Sequence, residues 1–62
     1  MTNAEYRVAI LDIMMELYPG GDQEQWLLTP QTALDGDTPM QALEKGKEKD
    51  VYELLLRTKK GN

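Results

Sequence analysis

The chain has 62 residues, enough for one domain, and it contains neither cysteine nor histidine. This composition excludes disulfides, thiolate metal sites, and the commonest metal ligand and general base. Its net charge of −4 and pI of about 4.5 argue against DNA binding by this chain, because nucleic-acid affinity depends on neutralising phosphates. A domain this small depends on good helix packing or on association for its stability.

The charge is unevenly distributed along the chain. Residues 1–44 carry one base and eight acids, for −7, whereas residues 45–62 carry six bases and three acids, for +3. The basic end is short and mixed with acids, so we interpret it as the solvated face of a helix rather than a DNA contact. No apolar run approaches the roughly 20 residues that span a bilayer, and no signal peptide is visible. We expect a cytoplasmic protein with no membrane partner.

The first predicted helix covers residues 3–18 and is apolar on most of its surface. Asn3 or Thr2 caps its start, and Pro-Gly-Gly at 19–21 ends it. On a helical wheel the apolar side covers roughly 220° and is interrupted only by Arg7, whereas a one-sided surface helix needs little more than about 100°. The helix therefore needs contacts on two sides. One stripe contains Tyr6, Ile10, Ile13 and Leu17; the other contains Val8, Leu11 and Met15, which we predict to be the interface of a homodimer.

A shorter helix follows over residues 22–28, with Asp22 as its predicted cap. Residues 29–37 contain too many turn formers for a long helix. Within this loop, Ala33 and Leu34 are expected to reach the core.

The third predicted helix begins with a strong local signal. Thr38 suits the N-cap, Pro39 the first helical position, and Gln41 completes a capping box. We expect this helix to run to Gly46.

The last helix is predicted over roughly residues 47–60, with Gly61 as its C-cap. No segment shows the alternation typical of a strand. The sequence therefore predicts an all-α fold: one domain over residues 1–62, built as an oligomeric small bundle of about four helices. The apolar residues of the last helix also spread over about 200° of the wheel: Val51, Tyr52, Leu54, Leu55 and Leu56.

The segment Asp35-Gly36-Asp37 raises the question of a metal site. A calcium loop of the EF-hand type needs about five oxygen ligands over 12 residues and a terminal Glu, which two acids before a helix do not provide. Asp-Gly is a common turn dipeptide, and acids before a helix favour its dipole. We therefore interpret the segment as a turn and predict no metal ligand and no cofactor.

Catalysis has no support in the sequence either. There is no glycine-rich phosphate loop and no nucleophile system, and a charged helix face explains the carboxylates of Asp12 and Glu16. We predict no catalytic residue and no enzyme activity. Trp26 is interpreted as a core anchor rather than a binding-site aromatic. Met14 and Met15 suit an adaptable contact surface as well as they suit ordinary core filling.

Two stretches, WLLTPQTALDGDTPMQAL and VYELLLRTKKG, resemble the toxin-binding domain of Xre/MbcA/ParS-type antitoxins. That family shows a Trp-Leu that ends a short helix, a Thr-Pro, an Ala-Leu with a following Gly, and a second Thr-Pro that opens a helix. A final Val-x-x-Leu-Leu helix ends near a Gly. The match covers about residues 18–61, and its ordered set is more specific than any single piece. The structural motif residues that match are Trp26, Thr29, Pro30, Leu34, Gly36, Thr38 and Pro39, with Leu27, Ala33, Leu43, Val51, Leu54, Leu55 and Gly61.

The resemblance implies a bacterial helical domain that binds a RES-type toxin and blocks its NAD-consuming site, in an oligomeric complex. The C-terminal segment of such antitoxins lies at or in the toxin's pocket. The helix-turn-helix half that usually precedes the domain has no counterpart in these 62 residues, so operator binding is not expected of them. A small helical oligomerisation or adaptor domain without a toxin is the alternative. The residues that we expect to contact a toxin are Tyr52, Leu56, Arg57 and Lys60.

Overall fold

The computed structural model describes residues 1–61 of the chain. It contains four α-helices and one short 3-10 turn, and no strand occurs within those residues. The prediction of an all-α bundle of about four helices is confirmed. In chain order the elements are α1 (Asn3–Leu17), α2 (Asp22–Leu27), the 3-10 turn (Thr32–Leu34), α3 (Pro39–Glu44) and α4 (Glu48–Gly61).

The two long helices, α1 and α4, form the main packing pair. Arg7 meets Glu48 near their N-terminal ends, and Glu16 meets Lys59 near their C-terminal ends, each pair at 2.9 Å. Because the pairs follow the same order along both helices, α1 and α4 run in the same direction. The connecting segment between them supplies the rest of the packing around α4.

The core lies between α1 and α4 and is closed by α3 and the 3-10 turn. Each fully buried Val, Leu, Ile or Met side chain contributes roughly 1.5–3 kcal/mol relative to an exposed one, so a core this small leaves a marginal fold. The buried apolar residues are Ile10, Ile13, Met14, Leu34, Ala42, Val51 and Leu55.

Of the two predicted caps of α1, the structure uses Thr2. The Thr2 hydroxyl accepts a hydrogen bond from the Glu5 N–H at 3.2 Å, and the Glu5 carboxylate accepts one from the Thr2 N–H at 2.8 Å. This reciprocal pair is a capping box. The helix ends at Leu17, one residue earlier than predicted, and Tyr18 is its C-cap.

The predicted cap of α2 is wrong. Gly21 occupies the N-cap position without a side-chain hydrogen bond, and Asp22 is already inside the first turn. Its carboxylate there still favours the positive end of the helix dipole. The helix stops at Leu27, where the sequence predicted an end one residue later.

The loop between α2 and α3 places one of its two predicted core residues in the interior. Leu34 is buried, as predicted. Ala33 is exposed, so the prediction that it reaches the core is wrong. Neighbouring side chains of a single 3-10 turn point in different directions, so the burial of one does not imply the burial of the next. The backbone closes on itself through Gln31, whose N–H donates to the Asp37 carbonyl at 2.9 Å and whose carbonyl accepts from the Gly36 N–H at 3.0 Å.

The predicted start of α3 is confirmed. The Thr38 hydroxyl accepts from the Gln41 N–H at 3.1 Å, the Gln41 side-chain oxygen accepts from the Thr38 N–H at 2.9 Å, and Pro39 is the first helical residue. Pro39 is also buried, so it packs as well as starting the helix.

The end of α3 comes earlier than predicted, at Glu44. Gly46 has a φ of 78°, and the Lys47 N–H donates to the Ala42 carbonyl at 2.9 Å. This is a Schellman motif, in which a residue in the left-handed conformation stops the helix. Gly46 therefore lies outside α3 and turns the chain toward α4.

The end of α4 also differs from the prediction. Gly61 lies within the helix, whereas the sequence predicted it as the C-cap. Glu48 and Asp50 occupy the first turn of α4, and Lys59 and Lys60 the last, as the helix dipole favours. None of the helices within residues 1–61 combines the length and the apolar character that crossing a bilayer requires.

Candidate protein-interaction surfaces

The outer face of α1 is apolar and exposed. Val8, Leu11 and Met15 have 63%, 57% and 67% of their surface accessible, whereas Ile10, Ile13 and Met14 on the opposite face form the core. The sequence left open whether the two methionines fill the core or form a contact surface. In the structure Met14 fills the core and Met15 lies on the surface. Neighbouring exposed apolar side chains on one helix face are typical of a surface that another protein covers.

An open groove of about 360 Å³ lies beside this face, between α1, α2 and α3. Its walls are almost entirely apolar, and the charged side chains of Arg7 and Glu44 also line it. Met40, from α3, is 39% exposed at the groove and extends the apolar surface beyond α1. The other lining residues are Ile10, Leu11, Met14, Leu27 and Leu43.

An ion pair that joins α1 to α4 lies next to this groove. The Arg7 Nε donates to the Glu48 Oε2 at 2.9 Å; the Glu48 side chain is 2% exposed and the Arg7 side chain 61%. Within residues 1–61 no donor reaches the Glu48 Oε1. A buried carboxylate costs free energy unless it is paired, so Arg7 is the group that makes burial of Glu48 tolerable.

Our interpretation of the basic end as a solvated face is wrong for Glu48. A signal for its burial was present in the sequence. Arg7 is the sole base among the first 44 residues, and it interrupts the otherwise apolar side of α1. A lone base on an apolar face is a candidate partner for an acid of another element, but the sequence alone does not identify which acid.

The outer face of α4 carries three of the four predicted toxin contacts. Leu56, Arg57 and Lys60 surround a shallow depression of about 390 Å³ together with Glu53. The structure does not bring Tyr52 to this depression. Its ring packs on the ring of Tyr6 in α1, with centroids 5.3 Å apart.

Trp26 is half-buried and packs against the core, in agreement with the role predicted for it. Its indole stacks on the ring of Tyr18, with centroids 5.7 Å apart and planes 20° from parallel. This contact ties α2 to the end of α1. A second side of Trp26 borders a shallow surface depression that also includes Asp22, Gln25 and Thr29.

The Asp35-Gly36-Asp37 segment forms a turn. Asp35 and Gly36 have φ values of 57° and 87°, a left-handed pair that reverses the chain. The Asp37 carboxylate accepts a hydrogen bond from the Lys45 ammonium at 2.7 Å. In the part of the chain that the structure describes, no group of three or more acidic side chains is placed to hold a metal ion.

Other proteins provide no direct guide to these surfaces. No protein-family model matches the chain, and no match was found among curated proteins or solved structures. The function is therefore inferred from the two surfaces on α1 and α4 and from the resemblance of the sequence.

Proposed function

We propose that this chain is a protein-binding module, not an enzyme, that acts in the bacterial cytoplasm as an antitoxin and neutralises a RES-type NAD-consuming toxin. The observation that supports this proposal is the ordered set of motif residues between Trp26 and Gly61. The outer face of α4 is the proposed toxin-binding surface.

The motif residues have positions that build the fold. Thr38 and Pro39 start α3, Gly36 turns the loop, Leu34 enters the core, and Trp26 fixes α2 to α1. A domain that shared the family's fold would retain residues with such roles, and the toxin-binding function is proposed by analogy at the level of the fold.

The outer face of α4 has the chemistry of an interface rim. Leu56 is a half-buried apolar side chain, and Arg57 and Lys60 beside it are exposed. Arginine is enriched in protein interfaces, and its guanidinium binds carboxylates and phosphates with two parallel hydrogen bonds. Because the ring of Tyr52 is half-buried against Tyr6, we expect it to contribute less to toxin binding than Leu56 and Arg57.

Co-expression with a RES-type toxin encoded beside this chain tests the proposal. The chain should co-purify with the toxin, restore growth and preserve cellular NAD. Arg57→Glu should weaken all three effects, whereas the matched charge reversal Lys47→Glu, at an exposed residue outside the depression, should not. A toxin that neither binds the chain nor loses its NAD-degrading activity would refute the proposal.

The exposed stripe of α1 also fits a second candidate function. Val8, Leu11 and Met15 suit a homodimer interface, and a dimer is compatible both with an antitoxin and with an oligomerisation or adaptor domain that has no toxin. The genomic neighbourhood separates the two functions: a gene for a RES-type protein beside this one favours the antitoxin, and its absence favours the adaptor.

A further inference from the structure

The exposed apolar residues of α1 follow a regular spacing. Ala4, Val8, Leu11 and Met15 are separated by four, three and four positions, and all four are exposed. Intervals that alternate between four and three are those of the a and d positions of a coiled coil. We call these four residues the α1 seam. The next position in the series, Tyr18, is half-buried against Trp26 and closes the seam.

We infer that the α1 seam pairs with the α1 seam of a second copy, with the two helices parallel. This inference rests on the self-association proposed above and adds its orientation and register. In this register Val8 occupies an a position and Leu11 a d position. A β-branched residue at a and leucine at d favour two parallel strands.

The charges beside the seam also favour the parallel orientation. Glu5 and Asp12 occupy e positions, and Arg7 occupies a g position. In a parallel pair, a g residue faces the e residue five positions further along the other helix, so Arg7 faces Asp12 of the second copy, twice by symmetry. In an antiparallel pair, e positions face e positions, which brings Glu5 of one copy toward Asp12 of the other.

Arg7 can make this contact while it holds Glu48. The bond to Glu48 uses the Arg7 Nε, and a guanidinium carries further N–H donors on its two terminal nitrogens. The Arg7 side chain is 61% exposed and lines the same open groove as Leu11 of the seam. One residue would thus connect the buried carboxylate of its own copy with the interface.

The size of the seam indicates a weak dimer. The 15 residues of α1 span about 22 Å, and the exposed patch on each copy amounts to a few hundred Å². Two such patches fall short of the roughly 1,200 Å² of a stable interface, so we expect dissociation in the micromolar range. The core face of α1 lies about 140° around the helix from the seam, so the body of each copy points away from the other.

Single cysteines test the orientation directly, because the chain has none of its own. Ala4 and Met15 lie about 16 Å apart along the helix, and a disulfide needs Cα atoms within about 7 Å. In a parallel pair, Ala4→Cys and Met15→Cys each form a disulfide-linked dimer alone and form no mixed dimer together. In an antiparallel pair the mixed dimer predominates. The control is Lys49→Cys, at an exposed residue of α4, which measures how much crosslinking arises from random collision.

A charge reversal tests the register. Asp12→Lys should raise the dissociation constant about fivefold, because two weak Arg7–Asp12 pairs are lost. Glu24→Lys makes the same charge change on α2 and should leave the dissociation constant unchanged.

The outcomes separate this inference from the proposals on which it rests. Self-linked Ala4→Cys and Met15→Cys dimers, together with a weaker Asp12→Lys dimer, support it. A predominant mixed dimer overturns the parallel orientation while self-association stands. Crosslinking no greater than that of Lys49→Cys overturns both, and neutralisation of a toxin is measured separately in the co-expression assay.

Discussion

The two longest helices, α1 and α4, were predicted to be apolar over roughly 220° and about 200° of their circumference, but their apolar residues are buried to different extents. On α4, Val51 and Leu55 are buried and the remaining apolar residues are half-buried. On α1, a complete stripe stays exposed beside a well-packed one. The width of the apolar face on a helical wheel therefore indicates how much of the helix surface requires contacts. Whether those contacts form depends on the elements that neighbour the helix.

The difference arises from the position of each helix in the bundle. α4 contacts α1, α3 and the 3-10 turn, so it has partners on several sides. α1 makes most of its contacts with α4 alone. Its second stripe has no element of residues 1–61 to cover it, which is why we assign that stripe to a second copy of the chain.

The sharpest test of this comparison truncates a leucine on each helix. Leu55 is 0% exposed, so Leu55→Ala should lower the free energy of unfolding by about 2–5 kcal/mol. At concentrations where the chain is monomeric, Leu11→Ala should change it by less than about 0.5 kcal/mol, because Leu11 is 57% exposed. Urea denaturation followed by circular dichroism measures both. Equal losses would contradict the contrast between the two helices.

A smaller effect is expected at the ion pairs between the helices. Arg7→Leu leaves Glu48 buried without its partner and should cost about 1–3 kcal/mol. Adding Glu48→Leu removes the unpaired carboxylate and should recover much of that loss. The matched control is Glu16→Ala at the other end, where Glu16 and Lys59 are 56% and 45% exposed and the loss should stay below about 1 kcal/mol. Thermal denaturation of these three variants and the wild type measures the losses. A cost at Glu16 equal to that at Arg7 would count against a buried role for Glu48.

How much the sequence could predict depends on the range of each interaction. The capping box of Thr38, Pro39 and Gln41 was predicted because its partners lie within three residues of one another. The burial of Glu48 was missed because its partner Arg7 lies 41 positions away. Asp22 failed as a cap for a different reason: the helix starts at that residue, and a backbone boundary can shift by one position without a change in composition.

The same distinction between local and long-range interactions applies to the candidate surfaces. The spacing of Val8, Leu11 and Met15 is a local property of α1, so the sequence could identify the stripe. Whether Tyr52 joins Leu56 and Arg57 on the outer face of α4 depends on where Tyr6 lies, and that requires the packing of two helices. Local pattern could therefore identify the exposed stripe of α1, but it could not separate Tyr52 from the surface residues of α4.

The smallest effects on stability are expected at two glycines, Gly46 before the start of α4 and Gly61 in its last turn. Gly46 has a φ of 78°, so Gly46→Ala should cost about 1–2 kcal/mol. Gly61 lies in the last turn of α4, so Gly61→Ala should stabilise the chain by a few tenths of a kcal/mol. An added β-carbon has no heavy atom within 4 Å at either position, so the contrast isolates backbone conformation. Melting temperatures that fall for both variants would place Gly61 outside the helix.

The most direct test of the central claim, that the exposed stripe of α1 is covered by a second copy, is sedimentation velocity across the micromolar range. The mass of the wild type should rise with concentration from 7.1 kDa toward twice that value. Leu11→Glu should remain a monomer and melt at a lower temperature than the associating wild type. Leu28→Glu, at a leucine that is also 57% exposed but lies outside α1, should behave like the wild type. A wild type that stays at 7.1 kDa at every concentration, with Leu11→Glu indistinguishable from it, would contradict the claim.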